Sequence, residues 1–219
     1  MQEIDTIAQR IHQSFDERTR SRDAILSQTR LLTRFCAHAI RAVHRGEREA
    51  AQEQLAQARS IVESFQALQN QYPDLYFAGY TQDALKEFAE ANLVHALVND
   101  LPLPSPEALQ VEFATYLQGL AETVGELRRH CLDLILHQRS AEAERLLVSM
   151  DDIYDVLVTM DYPEAITGGL RRLTDVARSI IERTRGDLTM SLRQDILEKS
   201  LRRMEQQLDS PDLPNDANH

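Results

Sequence analysis

The segment before Gly46 contains no residue that breaks a helix. Glycine first occurs at Gly46 and proline first at Pro73, so a helical pattern runs without interruption from the N-terminus. Apolar residues recur in this segment at intervals typical of a helix with one buried face. They are Ile4, Ile7, Ile11 and Phe15, followed by Ile25, Leu32, Phe35, Ala39 and Val43. The sequence predicts one very long helix to about His44 and a second helix to about Asn70.

Two breaks separate the helices in the middle of the chain. Residues 71–81 hold a proline, a glycine and four aromatic residues, which indicates an ordered loop. A third helix is predicted over residues 82–99, and the sequence DLPLPSP ends it. In that break, Ser105 and Pro106 predict the N-cap and first turn of a fourth helix that reaches about Gln138.

The last third of the chain is also helical in pattern. A fifth helix is predicted over residues 141–160 and a sixth from about Glu164. Residues 184–187, with the sequence TRGD, predict an interruption, and a further helical pattern continues to Leu208. We expect residues 209–219 to be a disordered tail.

Composition agrees with an all-α fold. Apolar residues make up 42% of the chain, but only 5% is aromatic and there is no Trp, so the core must consist mainly of Leu, Ile, Val and Ala. No strand-like alternation and no fixed repeat occurs in the sequence. We therefore predict a single domain over residues 1–208, built as a bundle of about six or seven long antiparallel helices.

Charge and hydropathy limit the partners of the protein. The net charge of −11 argues against loose binding along nucleic acid through overall charge, although a local basic surface stays open. No apolar run approaches the roughly 20 residues that cross a bilayer, and the N-terminus lacks the layout of a signal peptide. We expect a cytoplasmic protein without a membrane partner. Cys36 and Cys131 lie far apart without a CxxC motif, which predicts buried, reduced thiols.

Two glutamates lie where the third predicted helix should have a buried stripe. Glu87 and Glu90 share one helical face, and its next turns carry Ala91, Val94 and Val98. This pattern predicts partial burial of both carboxylates. Because an unpaired buried carboxylate is unfavourable, we expect a cation or a positive side chain opposite the pair.

A second acidic pair lies in the fourth predicted helix. Glu122 and Glu126 are four residues apart, roughly opposite the core stripe, which by itself indicates a solvated face. Gly119 and Gly125 occupy the middle of the same helix. Either close packing of another backbone or access of a substrate would explain these glycines.

Together the two pairs offer four carboxylates on two helices. Oxygen ligands of this kind suit magnesium or manganese. In phosphodiester hydrolysis such an ion lowers the pKa of a water molecule and offsets the charge that builds on the phosphate. A di-iron bundle would require Glu-x-x-His, which none of these glutamates begins. His95 and His130 fall at other spacings, and we interpret them as structural. The sequence also lacks a Gly-rich phosphate loop and a G-x-S-x-G elbow.

The acidic segments resemble those of the translin superfamily, and more specifically its translin-associated factor X (Trax) branch. The stretch KEFAEA is similar to the E-Y-V-E-A of that branch. The stretch YLQGLAETVGELRR is similar to the family's Y-L-x-G, with six residues between the glycine and a following Glu-Leu. IYDVL resembles another family segment, and RTRGD resembles an Arg-Gly near the family's end. The resemblance covers most of the chain.

This resemblance implies a seven-helix fold, a hollow octamer, and a metal-dependent endoribonuclease that acts on RNA inside the chamber. Carried over by motif, Glu87 and Glu90 match the two glutamates of the first segment, and Glu126 matches the glutamate of Gly-Glu-Leu. Glu122 stands where the Trax branch has an aspartate, so its arm is one methylene longer. Translin itself, the non-catalytic branch, lacks the first acidic pair.

An oligomer would reconcile the acidic chain with RNA, because arginines can line its interior. Arginine suits phosphate through bidentate pairing, whereas an ordinary intrahelical salt bridge is the alternative for each residue. The candidates are Arg18, Arg20, Arg22, Arg128, Arg129, Arg171 and Arg172.

Three classes of function follow from these patterns. The first is an endoribonuclease in which Glu87, Glu90, Glu122 and Glu126 hold Mg²⁺ or Mn²⁺. The second is a translin-like cage that binds single-stranded RNA or DNA without cleaving it. The third is a helical scaffold whose acidic pairs meet arginines across subunits.

Overall fold

The computed structural model describes residues 2–208, and the predicted disordered tail of residues 209–219 lies outside these residues. The described residues form nine helices and no strand, which confirms the predicted all-α class. Six helices are long and three have a single turn, so the predicted number of long helices is also confirmed. The helices are α1 (Gln2–His44), α2 (Arg48–Gln71), α3 (Pro73–Tyr76), α4 (Gly79–Val98), α5 (Pro106–Leu109), α6 (Phe113–Leu136), α7 (Ser140–Val158), α8 (Glu164–Thr167) and α9 (Leu170–Leu208).

Two of the predicted boundaries are wrong. Ser105 does cap a helix, because its Oγ accepts a hydrogen bond from Ala108 N at 3.2 Å. That helix is only α5, because Gln110 adopts the left-handed conformation with φ of 59° and stops it. The long fourth helix therefore starts at Phe113. Similarly, the predicted loop at residues 71–81 contains α3 and the first turn of α4.

The predicted interruption at residues 184–187 does not occur. The helix α9 continues through Gly186, and Thr184 and Leu188 on either side of it are buried against the core. A single glycine destabilises a helix by only about 1 kcal/mol. Burial of the neighbouring side chains offsets that effect, so the helix stays continuous.

Two large apolar clusters and one small one, of Ala42, Val43, Ala51 and Val94, form the core of the described residues, and α4 contributes to all three. The first large cluster joins α1, α2 and α4, and the second joins α6, α7 and α9 with Leu93 of α4. Each fully buried Leu or Phe in them contributes about 1.5–3 kcal/mol. The largest fully buried side chains are Leu32, Leu85, Phe88 and Leu109 in the first cluster, and Leu93, Leu127, Leu146, Met150 and Leu170 in the second.

The helices α4 and α6 approach each other closely at Gly119. A Cβ atom at this position would lie 2.9 Å from the carbonyl oxygen of Lys86 and 3.1 Å from the backbone N of Glu90. The contact is therefore backbone against backbone, which only glycine allows. Close packing explains Gly119, whereas a Cβ atom at Gly125 would meet nothing within 4 Å.

The N-terminal half of α1 and the C-terminal part of α9 carry exposed apolar side chains. The predicted apolar stripe of α1 becomes buried only from Ile25 onward. Exposed helix faces of this kind are typical of surfaces that another chain covers. The exposed residues are Ile4, Ile7, Ile11 and Phe15 in α1, and Met190, Ile196, Leu197, Leu201 and Met204 in α9.

Two simpler predictions can be compared with the structure directly. Cys36 and Cys131 are both buried and free, as predicted. Within residues 2–208, no helix combines the length and apolar character that would let it span a bilayer.

We expect Gly119→Ala to lower the free energy of unfolding by about 2 kcal/mol, because the added methyl group overpacks the α4–α6 contact. Gly125→Ala is the matched control in the same helix. Open space surrounds that position, so we expect the control to gain about 0.5 kcal/mol. Urea unfolding of the wild type and both variants measures the difference. Equal stability of the two variants would contradict a close approach at Gly119.

Candidate metal centre

Three of the four predicted carboxylates converge between α4 and α6. Glu87, Glu90 and Glu122 each offer one oxygen, and these three oxygens lie within 4.8 Å of one another. We call these three residues the acidic cluster. The side chains described here include no other group of three His, Cys, Asp or Glu residues placed in this way. Glu126, the fourth predicted ligand, is not part of the cluster.

Glu90 is the most buried member of the acidic cluster. Only 8% of the residue is exposed, and it has no ion pair among the described residues. Burial, reinforced by the charges of Glu87, Glu122 and Glu126, raises the pKa of Glu90 to about 8. Without a further cation this carboxyl group is therefore mainly protonated at neutral pH.

Glu87 lies one turn before Glu90 and is only partly buried. Burial raises the pKa of Glu87, the charge of Lys86 opposes this rise, and Glu122 adds to it. The thiol of Cys36 in α1 is near enough to feel the charges of both residues. Burial, reinforced by the charges of Glu87 and Glu90, raises the pKa of the Cys36 thiol. Cys36 therefore supplies no charge that could balance this pair.

Among the described side chains, Glu122 is the member of the acidic cluster that has an ion pair. Lys86 Nζ donates a hydrogen bond to Glu122 Oε1 at 2.8 Å, and both side chains are largely shielded, with 17% and 28% exposed. The sequence did not single out Lys86 as a functional residue, although it begins the KEFAEA motif. The solvated-face interpretation of Glu122 is wrong, because α4 covers this face of α6.

Glu126 is held by a histidine from a distant part of the chain. His44 Nε2, at the end of α1, donates a hydrogen bond to Glu126 Oε2 at 2.5 Å, and the His44 side chain is only 5% exposed. This hydrogen bond lowers the pKa of Glu126. The ring of His130 lies 5.7 Å from the ring of His44. Sequence reasoning missed His44, because no spacing pattern links it to Glu126.

The acidic cluster fits a hard divalent cation. Its donors are all carboxylate oxygens, and they supply three potential negative charges against one ammonium. Oxygen-only ligand sets of this kind favour Mg²⁺ or Mn²⁺ over zinc or copper. Burial is the main cause of the raised pKa of Glu90, and the excess of negative charge in the site adds to it.

The seven predicted nucleic-acid-binding arginines lie on α1, α6 and α9. Among the described side chains, Arg20, Arg171 and Arg172 are exposed and have no ion pair. The other four have carboxylate partners. These pairs are Arg18 with Asp74, Arg22 with Asp23, Arg128 with Asp187 and Arg129 with Glu126.

Arg171 also lines a cleft of about 630 Å³ beside the start of α9. Three carboxylates, those of Asp161, Glu164 and Asp175, line the same cleft. These negative charges disfavour a phosphate group inside the cleft. If Arg171 binds RNA, the phosphate group must therefore contact its guanidinium from the solvent and not from inside the cleft.

The chain is similar to known proteins over most of its length. No protein-family model matches the chain. It is 31% identical over 186 residues to the uncharacterized protein MJ0175 of Methanocaldococcus jannaschii, which covers 84% of this chain and 82% of that protein.

The chain is also similar to solved structures. The structure of AfC3PO in complex with duplex RNA matches with a TM-score of 0.80 and 29% identity, over 86% of this chain and 97% of that chain. AfC3PO alone matches with a TM-score of 0.79 and 29% identity, over 86% of this chain and 98% of that chain. Apo-NeC3PO matches with a TM-score of 0.77, over 83% of this chain and 95% of that chain, and its 17% identity shows the fold alone.

The raised pKa of Glu90 makes the stability of the metal-free protein depend on pH. Between the ordinary value of 4.5 and about 8, the folded state keeps a proton on Glu90 that the unfolded state releases. The free energy of unfolding should therefore fall as pH rises through this window. We expect Glu90→Gln to remove about 2 kcal/mol of this loss.

Urea unfolding at pH 5 and pH 8 in the presence of EDTA measures this effect. Glu63→Gln, at an exposed position of α2, is the matched control and should keep the pH dependence of the wild type. An identical pH dependence in Glu90→Gln and the wild type would contradict a protonated Glu90 in the folded state.

Proposed function

This chain belongs to the translin superfamily, and from that membership and the acidic cluster we propose that it is a metal-dependent endoribonuclease. In this proposal the protein is Trax-like and cleaves RNA phosphodiester bonds inside a hollow homo-oligomer. Its all-α fold is the translin-like fold, shared with the C3PO structures. The observation that carries the proposal is the convergence of three carboxylates from two helices.

Each acidic residue has a defined task in this proposal. Glu87, Glu90 and Glu122 would hold Mg²⁺ or Mn²⁺, and Glu126 lies beside them in the orientation that His44 fixes. When bound, such a cation would stabilise the charge that builds on the phosphate and would activate a water molecule. The α4–α6 contact at Gly119 keeps the carboxylates together before any ligand arrives.

The complex of AfC3PO with duplex RNA supports RNA as the substrate in this proposal. AfC3PO binds duplex RNA and is 29% identical to this protein over most of its length. Exposed Arg20, Arg171 and Arg172, which have no ion pairs among the described side chains, are available to pair with phosphate groups. Single-stranded DNA is the further candidate ligand.

The exposed apolar faces of α1 and α9 support a homo-oligomer. Residues such as Ile4, Phe15 and Met204 would lie in water in a single chain, and burial against other copies would remove this apolar surface. A closed assembly would also let arginines line an interior while the acidic surface faces outward. A count of eight subunits rests on the family resemblance.

A second function is a cage that binds nucleic acid without cleaving it. One observation favours it: Glu122 and Glu126 already have positive or hydrogen-bonding partners, Lys86 and His44, within the chain. If these contacts persist, fewer oxygens are free for a cation. Binding of RNA that weakens with salt, without metal-dependent cleavage, would identify this second function.

We expect Glu90→Gln to reduce Mg²⁺-dependent RNA cleavage by at least about 100-fold, because the amide removes a charged ligand from the centre of the site. Cleavage of end-labelled duplex and single-stranded RNA by the purified protein measures this loss. Glu63→Gln should cleave like the wild type, and EDTA should abolish cleavage by both.

RNA binding by the same variants should be measured by fluorescence anisotropy in EDTA. We expect Glu90→Gln to bind RNA about as tightly as the wild type, because Glu90 is mainly protonated without a cation and the amide hardly changes the charge near the phosphate. Equal cleavage by Glu90→Gln and the wild type would rule out the proposed role of the acidic cluster.

A further inference from the structure

One of only two lysines in the chain, Lys86, contacts the acidic cluster. The second lysine is Lys199, an exposed residue near the end of α9. Every other residue of the Lys or Arg type is an arginine. Lys86 is therefore an unusual choice for this protein. Its position next to Glu87, with its ammonium on Glu122, places it inside the candidate metal centre.

Lys86 replaces part of the positive charge that a divalent cation would bring. Burial alone would lower the pKa of Lys86, but the hydrogen bond and charge of Glu122, with the charges of Glu87 and Asp83, raise it. The ammonium is therefore charged. It balances one carboxylate of the acidic cluster and leaves Glu90 without a partner.

The chemistry of lysine matters for this role. An arginine would hold a carboxylate with two parallel hydrogen bonds and occupy both of its oxygens. Lys86 instead makes one hydrogen bond, to Oε1 of Glu122. The ammonium is compact, strongly hydrated and carried on a flexible stem, so it can leave Glu122 without disturbing the helices.

We propose that Lys86 is a displaceable counter-ion that holds Glu122 in the metal-free centre and releases it when a divalent cation is bound. This inference rests on the proposed metal-dependent function and adds a positioning residue to the same site. In the metal-free protein Lys86 keeps Glu122 turned toward Glu87 and Glu90. The same contact opposes cation binding, so Lys86 sets the cation concentration at which the centre fills.

The test measures Mn²⁺ binding without RNA, by isothermal titration calorimetry at fixed pH. We expect Lys86→Met, which keeps the apolar stem and loses the charge, to bind Mn²⁺ roughly 10-fold more tightly than the wild type. Lys199→Met is the matched control at the only other lysine and should bind like the wild type. An unchanged affinity in Lys86→Met would overturn the inference.

Lys86→Arg separates competition for the carboxylate from charge alone. A guanidinium that holds both oxygens of Glu122 should weaken Mn²⁺ binding relative to the wild type, although the net charge is unchanged. If Lys86→Arg binds Mn²⁺ with the affinity of the wild type, only the charge at this position matters. That result would overturn the proposal that the cation displaces Lys86 from Glu122.

Thermal unfolding supplies a second readout that also covers a poorly folded variant. We expect Lys86→Met to have a lower Tm than the wild type in EDTA, and this deficit to shrink or reverse in saturating Mn²⁺. An equal deficit under both conditions would indicate a purely structural lysine and would overturn the inference.

These measurements also distinguish this inference from the proposed function. If the wild type binds Mn²⁺ and cleaves RNA while Lys86→Met has the same affinity, only the inference on Lys86 fails. If neither protein binds Mn²⁺, both the inference and the metal-dependent function fail. Binding by Lys86→Met but not by the wild type would mean that Mn²⁺ does not displace Lys86, and would overturn both the inference and the metal-dependent function.

Discussion

The contact between the backbones of α4 and α6 at Gly119 is the constraint on which the candidate site depends. It brings the carbonyl of Lys86 and the amide of Glu90 against the turn that precedes Glu122. Any side chain at this position would have to push the two helices apart. Packing of the two main chains therefore holds the carboxylates of the acidic cluster together, independently of their charges.

Repulsion between the carboxylates opposes the packing that brings them together. Three carboxylates meet with one ammonium, and Glu90 responds by a pKa raised to about 8, the result mainly of burial. Without a cation Glu90 therefore keeps a proton at neutral pH, and a divalent cation would take the place of that proton. Glu126 shows the opposite case, because His44 already satisfies it and lowers its pKa. The four predicted ligands are therefore not equivalent in the folded protein.

Much of the fold could be predicted from the sequence, because helix periodicity and helix breakers act over a few residues. The long α1 and the N-cap at Ser105 are examples. The wrong predictions arose where local signals alone did not decide the structure. Gly186 looked like an interruption, but packing on both sides of it keeps α9 continuous, and Gln110 ended a helix whose start was predicted correctly. In both cases tertiary contacts or one left-handed residue overrode the local pattern.

The sequence by itself determined the helices and the pairing of acids within each of them, because residues three or four apart share a helical face wherever the helix lies. Only the tertiary structure decided which acids meet. Glu122 joins Glu87 and Glu90 and is held by Lys86, whereas Glu126 pairs with His44, which is 82 residues away in the chain. Contacts between helices depend on how their faces pack, and no spacing along one helix encodes them.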